Sequence, residues 1–264
     1  MDAELVLVID VGNTRMKLAL FRAGRVIRHR AFGHGDVAGV TALLNGARPQ
    51  AVVLGSVSHL DNGFADQLAR IAPLTIMRGD GPSPFPSKVQ ERATLGVDRL
   101  ANVVAAAWRF PGRAALVVDA GSCVTYDLVE PDGTHAGGII APGMAMRARA
   151  MHAYSARLPE VEPGQAPVRW GLRTDDALAA GIHHGIVGEI DGHFRSVRER
   201  YTQAVLLLSG GDAMRFAKAL KCGIFAVPLL TLEGLHALYL HHRALAGDRH
   251  GALGGAGLGP GTAG

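Results

Sequence analysis

Two copies of one short pattern, 109 residues apart, set the tightest limit on what this chain can fold into. Leu5-Val-Leu-Val-Ile9 is an apolar run that ends in Asp10 and continues through Val11, Gly12, Asn13 and Thr14. Ala115-Leu-Val-Val118 repeats the order into Asp119, Ala120, Gly121 and Ser122. Short apolar runs closed by turn residues read as buried strands. A carboxylate at a strand end can hold a cation or its waters beside a phosphate. The glycine two residues on lets backbone N–H groups approach the same phosphate with no Cβ in the way. Each copy is followed by more β-like sequence, Met16–Phe21 and Val26–Phe32 in one case, Cys123–Val129 and a run to Ile140 in the other. The expectation is a duplicated α/β unit over 1–112 and 113–246, with both turns facing one polyphosphate across a cleft.

Length and composition agree. A chain of 264 residues suits one large domain or two small ones. Its 35 glycines and 48% hydrophobic content fit a folded chain rich in tight turns. The net charge of +4 is dispersed, so no nucleic-acid partner is expected, and Arg195, Arg198 and Arg200 read as a solvated helix face. Cys123 and Cys222 are the only cysteines, too few for a disulfide framework or a four-cysteine zinc site. That usage points to a reducing, cytoplasmic setting. No apolar run is long enough to span a membrane, and Leu5–Ile9 is a strand, not a signal peptide.

Helices are predicted at 37–44, 64–71 (capped by Asp61 or Asn62), 95–110, 142–153, 174–200, 213–220 and 229–244, and further strands at 51–54, 204–208 and 224–227. Gly79–Pro86 and Pro159–Pro167 read as loops. Residues 247–264 read as a flexible glycine-rich tail. Gly181, Gly185, Gly188 and Gly192 fall about one turn apart in the long helix, which predicts close approach by another element. His183-His184 and His241-His242 read as helix-surface or interface residues rather than ligands, because adjacent helical residues diverge. Cys123 lacks a base partner and reads as packing, as do Trp108 and Trp170.

Other motifs add chemistry. Leu206-Leu-Leu-Ser-Gly-Gly-Asp212 brings a third strand to paired glycines at a helix start, where a nucleotide moiety could lie against backbone. Gly96-Val-Asp-Arg99 opens an apolar helix; Asp98 could take a proton from an alcohol or simply cap the helix. Thr134–Gly143 leads a strand through glycines into a helix, for close packing or as a cleft wall. A Gly-x-x-x-x-Gly-Lys-Ser/Thr loop is absent, as is Gly-x-Gly-x-x-Gly in the first turn, so P-loop and dinucleotide readings are disfavoured.

In this order, Asp10-Val-Gly-Asn-Thr14, Gly96-Val-Asp-Arg99, Asp119-Ala-Gly-Ser122 with Thr125 and Asp127, Gly137–Gly143, Ser209–Ala213 and Leu232-Glu-Gly-Leu235 resemble the type III pantothenate kinases of the acetate kinase/sugar kinase/Hsp70/actin superfamily. The resemblance spans residue 5 to about 244. It implies an α/β fold of two ribonuclease H-like domains, mixed sheets flanked by helices, that transfers phosphate from ATP to pantothenate, with Mg²⁺, a monovalent cation (K⁺ or NH₄⁺) and a homodimer. It implies Asp98 as base, and Gly96, Arg99 and Thr174 as pantothenate-binding residues. The nucleotide would meet Asp10, Gly12, Asn13, Thr14, Lys17, Gly121, Ser122, Gly210 and Gly211. Asp10 would lie near magnesium and Asp119 near the monovalent cation. The tyrosine and proline usual in the family upstream of Gly96 are missing here, which removes one expected pantothenate contact. Two other functions stay open to the sequence: a non-catalytic, nucleotide-binding regulator, and an ATPase-like scaffold whose hinge closes over nucleotide.

Overall fold

The computed structural model describes residues 4–57, 62–162 and 168–254. In the first half β1 (Leu5–Val11), β2 (Met16–Arg22), β3 (Arg25–Phe32), β4 (Ala51–Ser56) and β5 (Leu74–Met77) form a sheet in the order β3-β2-β1-β4-β5. In the second, β6 (Ala115–Ala120), β7 (Cys123–Val129), β8 (His135–Pro142), β9 (Val205–Ser209) and β10 (Ile224–Ala226) run β10-β9-β6-β7-β8. Matching β6 to β1 and so on, the two orders coincide. In both sheets the first three strands pair antiparallel and the last two join in parallel. This is the ribonuclease H-like unit, twice. The helices are α1 (Val37–Leu44), α2 (Asn62–Ala69), α3 (Val97–Arg109), α4 (Met144–Ala153), α5 (Thr174–Arg200), α6 (Ala213–Ala217) and α7 (Leu230–Gly254).

The central strands read as unbroken apolar runs because both faces are covered. Val6 and Val8 of β1 pack with α3 and α7, while Leu7, Ile9 and Val11 pack with α1 and α2. In β6, Leu116 and Val118 join the core of α5 and α6, and Val117 joins α3. Thus α3 touches both sheets, and α7 crosses back from the second half onto the first. Their approach is close: a Cβ at Gly234 would stand 1.9 Å from the Ala101 carbonyl oxygen. Arg109 on α3 holds Glu233 on α7 through both carboxylate oxygens, at 2.7 and 2.6 Å from Nη2.

Several expectations change. The glycines of α5 do not admit a neighbour within the chain: a Cβ at Gly181, Gly188 or Gly192 meets nothing within 4 Å, and one at Gly185 meets only Arg147 Nη1 at 3.6 Å. The helix is held instead by Leu178, Ile182, Ile186, Ile190 and Phe194, spaced one turn apart along its buried face. Next to them His183 is buried, not on the surface. Trp170 does not pack; it is 82% exposed, beside the fully exposed Leu172. Pro142 ends β8 rather than opening α4. β5 lies in a stretch that carried no expectation. α7 continues to Gly254, so 247–254 are helical; Asp61, 163–167 and 255–264 lie outside the described residues. No helix among the described residues is long and apolar enough to cross a membrane.

Candidate active site

The two duplicated turns open into one cavity of about 420 Å³ between the halves. The first half lines it with Asp10, Gly12, Asn13, Thr14, Lys17 and Asp98. The second contributes Asp119, Gly121, Ser122 and Gly211. The turns touch: Thr14 Oγ1 and Ser122 Oγ are 2.8 Å apart, residues 108 positions distant in sequence. In each sheet the carboxylate stands near the end of the central strand, Asp10 paired in parallel with Gly55 and Asp119 with Ser209, and both line the one cavity.

Glycines shape the walls in different ways. Gly210 takes φ +96°, and a Cβ there would stand 2.2 Å from the Ala120 carbonyl oxygen, so only glycine fits. It turns the chain under the second loop and does not itself line the cavity, whereas Gly211 does. Gly12 is freer, since a Cβ there would make an ordinary contact at 3.4 Å with Arg15 O. A Cβ at Gly143 would lie 2.1 Å from the Gly121 carbonyl oxygen, so Gly143 serves close packing behind the second turn, whereas a Cβ at Gly137 would meet nothing within 4 Å.

The electrostatics are those of a site short of positive charge. Burial, with Asp98 and Asp119 adding to it and Lys17 opposing, pushes Asp10 up to about 7. Burial, reinforced by Asp119 and Asp127, raises Asp98 to about 6 against the opposing hydrogen bond from Arg99. Asp98 does not cap α3: the N-cap is Gly96, and the Asp98 carboxylate accepts from the neighbouring Arg99 N–H at 2.8 Å. A Cβ at Gly96 would stand 2.3 Å from Asp98 Oδ1, so that glycine leaves room for the carboxylate. Asn102, one turn further along α3, donates to Asp119 Oδ2 at 3.0 Å and accepts from Thr231 of α7 at 2.9 Å.

Not every expected residue faces the cavity. Arg99 turns to β7, where Nη2 meets Asp127 Oδ1 at 2.6 Å. Thr174 is exposed at the first turn of α5, away from the cavity lining. Sequence reasoning also missed wall residues. Arg15, Arg215, Asp212 and Cys123 line the cavity. Arg15 directly follows the first motif, which ends at Thr14, and its nearness in sequence was the signal that could have found it. Arg215 reaches the site only because α6 follows the Gly210-Gly211 turn, and it pairs with Asp212 at 3.1 Å.

The sequence model of the type III pantothenate kinases matches residues 6–196. The chain belongs to that family. A type III pantothenate kinase of Phocaeicola vulgatus is 36% identical over 242 residues, covering 90% of this chain and 99% of that one. One from Flavobacterium psychrophilum is 32% identical, covering 90% of this chain and all of its own. Among solved structures, a Baf-family transcriptional activator from Campylobacter jejuni superposes with a TM-score of 0.57 at 21% identity, covering 90% and 99% of the two chains. The activator of 2-hydroxyisocaproyl-CoA dehydratase from Clostridium difficile, with bound ADPNP, superposes at 0.51 and 12%, covering 98% and 100%. Those two likenesses carry the fold alone, the pair of like-ordered mixed sheets described above. Family membership makes the chain an ATP-dependent kinase.

Proposed function

We propose that this chain transfers the γ-phosphoryl group of ATP to the primary hydroxyl of pantothenate, forming 4'-phosphopantothenate, the first step toward coenzyme A. The observation that carries this reading is the single cavity in which Asp10, Asp98 and Asp119 converge between two glycine turns, in a chain of this family.

Each group has a task that its surroundings suit. Backbone N–H groups of the two turns, with Lys17, Asn13, Thr14 and Ser122, hold the polyphosphate in line. Gly211 lets the nucleoside lie against backbone, on the turn that Gly210 makes possible. Asp98 takes the hydroxyl proton as the new P–O bond forms, and its raised affinity for a proton suits a base working near neutral pH. Gly96 and Arg99 orient pantothenate; the Asp127 contacts engage Arg99 Nε and Nη2, and none of them uses Nη1. Positioning and charge stabilisation provide most of the acceleration in phosphoryl transfer.

A divalent ion suits Asp10. Among the described residues no three His, Cys, Asp or Glu side chains converge as a ligand set, so such an ion would take its oxygens from phosphate and water beside one carboxylate, the habit of Mg²⁺. Bound there, it would neutralise charge building on the phosphate oxygens. A monovalent cation suits Asp119, since Ser209, its register partner on β9, is fully buried with an unpartnered Oγ. We assign a homodimer from two features of the second half: the exposed apolar residues Ile140, Trp170 and Leu172, and the glycine face of α5, where a Cβ at Gly181, Gly188 or Gly192 would meet nothing within 4 Å. Thr174, at the head of α5, would then complete the partner's pantothenate site. With Cys123 and Cys222 both free thiols, the cytoplasm is the compartment we assign.

ADP release measured with and without pantothenate, in potassium and then in sodium, tests the reading. Turnover that requires pantothenate and is faster in potassium is expected. ATP binding with no pantothenate-dependent turnover overturns it.

A further inference from the structure

Behind the base, Asp127 and His135 form a buried network with Arg99, and the scheme above gives neither Asp127 nor His135 a task. Arg99 reaches from α3 to β7, where Nε lies 3.1 Å from each Asp127 oxygen and Nη2 2.6 Å from Oδ1. Asp127 is 1% exposed. Its Oδ1 is also 2.8 Å from Nε2 of His135, itself fully buried. An ionised carboxylate only accepts, so Nε2 of His135 carries the proton and donates. On the other side of the ring, Ser87 Oγ lies 3.4 Å from Nδ1. The backbone fixes the imidazole too: His135 N–H donates to Pro86 O at 2.9 Å, and Lys88 N–H donates to His135 O at 2.8 Å. Gly138 provides the space, since a Cβ there would stand 2.3 Å from Arg99 Nη2 and 2.4 Å from Asp127 Oδ1.

At its other end, the same arginine bears on the base. The Arg99 backbone N–H is the hydrogen-bond donor to Asp98 Oδ1, and Gly96 closes on that oxygen from the opposite side of the turn. The position of Asp98 is therefore set by the turn 96–99, and the Arg99 side chain ties that turn directly to the C-terminal sheet, with Asn102 making a second tie one turn further along α3.

We infer that Asp127, backed by His135, is a positioning residue that acts through Arg99 to hold Asp98 in place against the C-terminal sheet. The inference rests on Asp98 being the base. Cutting the tether lets the first turn of α3 move relative to the cavity, and transfer geometry is sensitive to shifts of about 1 Å.

The test uses Asp127→Asn, His135→Phe and His135→Gln in the full chain. The Gln amide can place an N–H near the position of Nε2, and Phe cannot. In folded protein, Asp127→Asn and His135→Phe should lower kcat on the order of 10- to 100-fold, as misplacement of a reacting group does. The KM for ATP should stay within about twofold, since a loss confined to kcat marks an interaction used only in the transition state. His135→Gln should keep most of the activity. Backbone amide exchange in 97–100 should quicken in His135→Phe and stay slow in His135→Gln. Unchanged kcat in folded Asp127→Asn, or a Gln variant as impaired as Phe, overturns the inference. If the wild-type chain shows no pantothenate-dependent turnover, the proposed function falls instead; exchange, which needs no turnover, still decides the tether, and unchanged rates overturn it. If His135→Phe does not fold, Asp127→Asn decides by the same two readouts.

Discussion

The two carboxylate turns share a backbone and differ in what surrounds them. Asp10 stands in register with Lys17 on β2, and Asp119 with Thr125 on β7. Across the parallel pairing, Asp10 meets Gly55, whose missing side chain leaves space that Leu235 of α7 fills, a Cβ there falling 2.7 Å from it. Asp119 meets Ser209, a buried hydroxyl without a partner. The first turn is thus sealed by hydrocarbon and balanced by one lysine. The second is lined by an amide and hydroxyls. The two halves share the strand order and the glycine turns and differ in these side chains, and it is on that difference that the proposed assignment of a divalent ion to Asp10 and a monovalent cation to Asp119 rests. A shared scaffold places the charges, and local neighbours decide what each charge can hold.

Removing the base belongs to neither turn and should have the largest effect. Asp98→Asn should cut kcat about 10²- to 10⁴-fold, the usual share of general base catalysis, with ATP affinity little changed. Equal turnover in the folded variant would falsify the role. In the wild type, kcat should fall as pH drops through about 6, where Asp98 takes up its proton.

Next comes the glycine under the second turn. Gly210→Ala combines a positive φ with a Cβ against the Ala120 backbone, costing about 2–4 kcal/mol by strain and overpacking. A melting curve matching wild type would show that the turn can relax.

Asp10→Asn sharpens the contrast of charge. Without ligand, the folded pKa of about 7 exceeds the ordinary 3.8, so ionisation opposes folding. The penalty is full above about pH 7 and gone below about pH 3.8. The Asn variant should therefore melt above wild type at pH 8, with the gap closing on acidification, while its Mg-ATP affinity falls. A gap that does not vary with pH would break the account of burial.

The smallest change in stability is expected for Gly12→Ala. Its Cβ has only an ordinary contact at 3.4 Å, so unfolding curves should report a change of less than about 0.5 kcal/mol. The loss should fall on nucleotide affinity, because the methyl group stands where phosphate approaches. If Gly12→Ala proved as destabilising as Gly210→Ala, the two turns would not differ as described.

Much of this was legible in the sequence. The strands at 5–9 and 115–118, the turns after Asp10 and Asp119, and the helix carrying Asp98 each announce themselves through local pattern, because buried strands and glycine turns leave short-range signatures. Arg215 and the His135–Asp127–Arg99 chain left no such mark. Their partners are brought together by sheet order and by α3 spanning both halves. Trp170 misled for the opposite reason: a large aromatic side chain reads as packed, and hydrophobicity alone does not say against what.

By itself, then, the sequence determined the repeated strand-and-turn unit and the identity of the chemical groups it carries, since those depend on residues close along the chain. Only the tertiary structure decided which groups share a cavity, that Asp98 is pinned rather than capping, and that Arg99 is tied to Asp127. Those facts depend on distances between residues far apart in sequence, and no local preference encodes them.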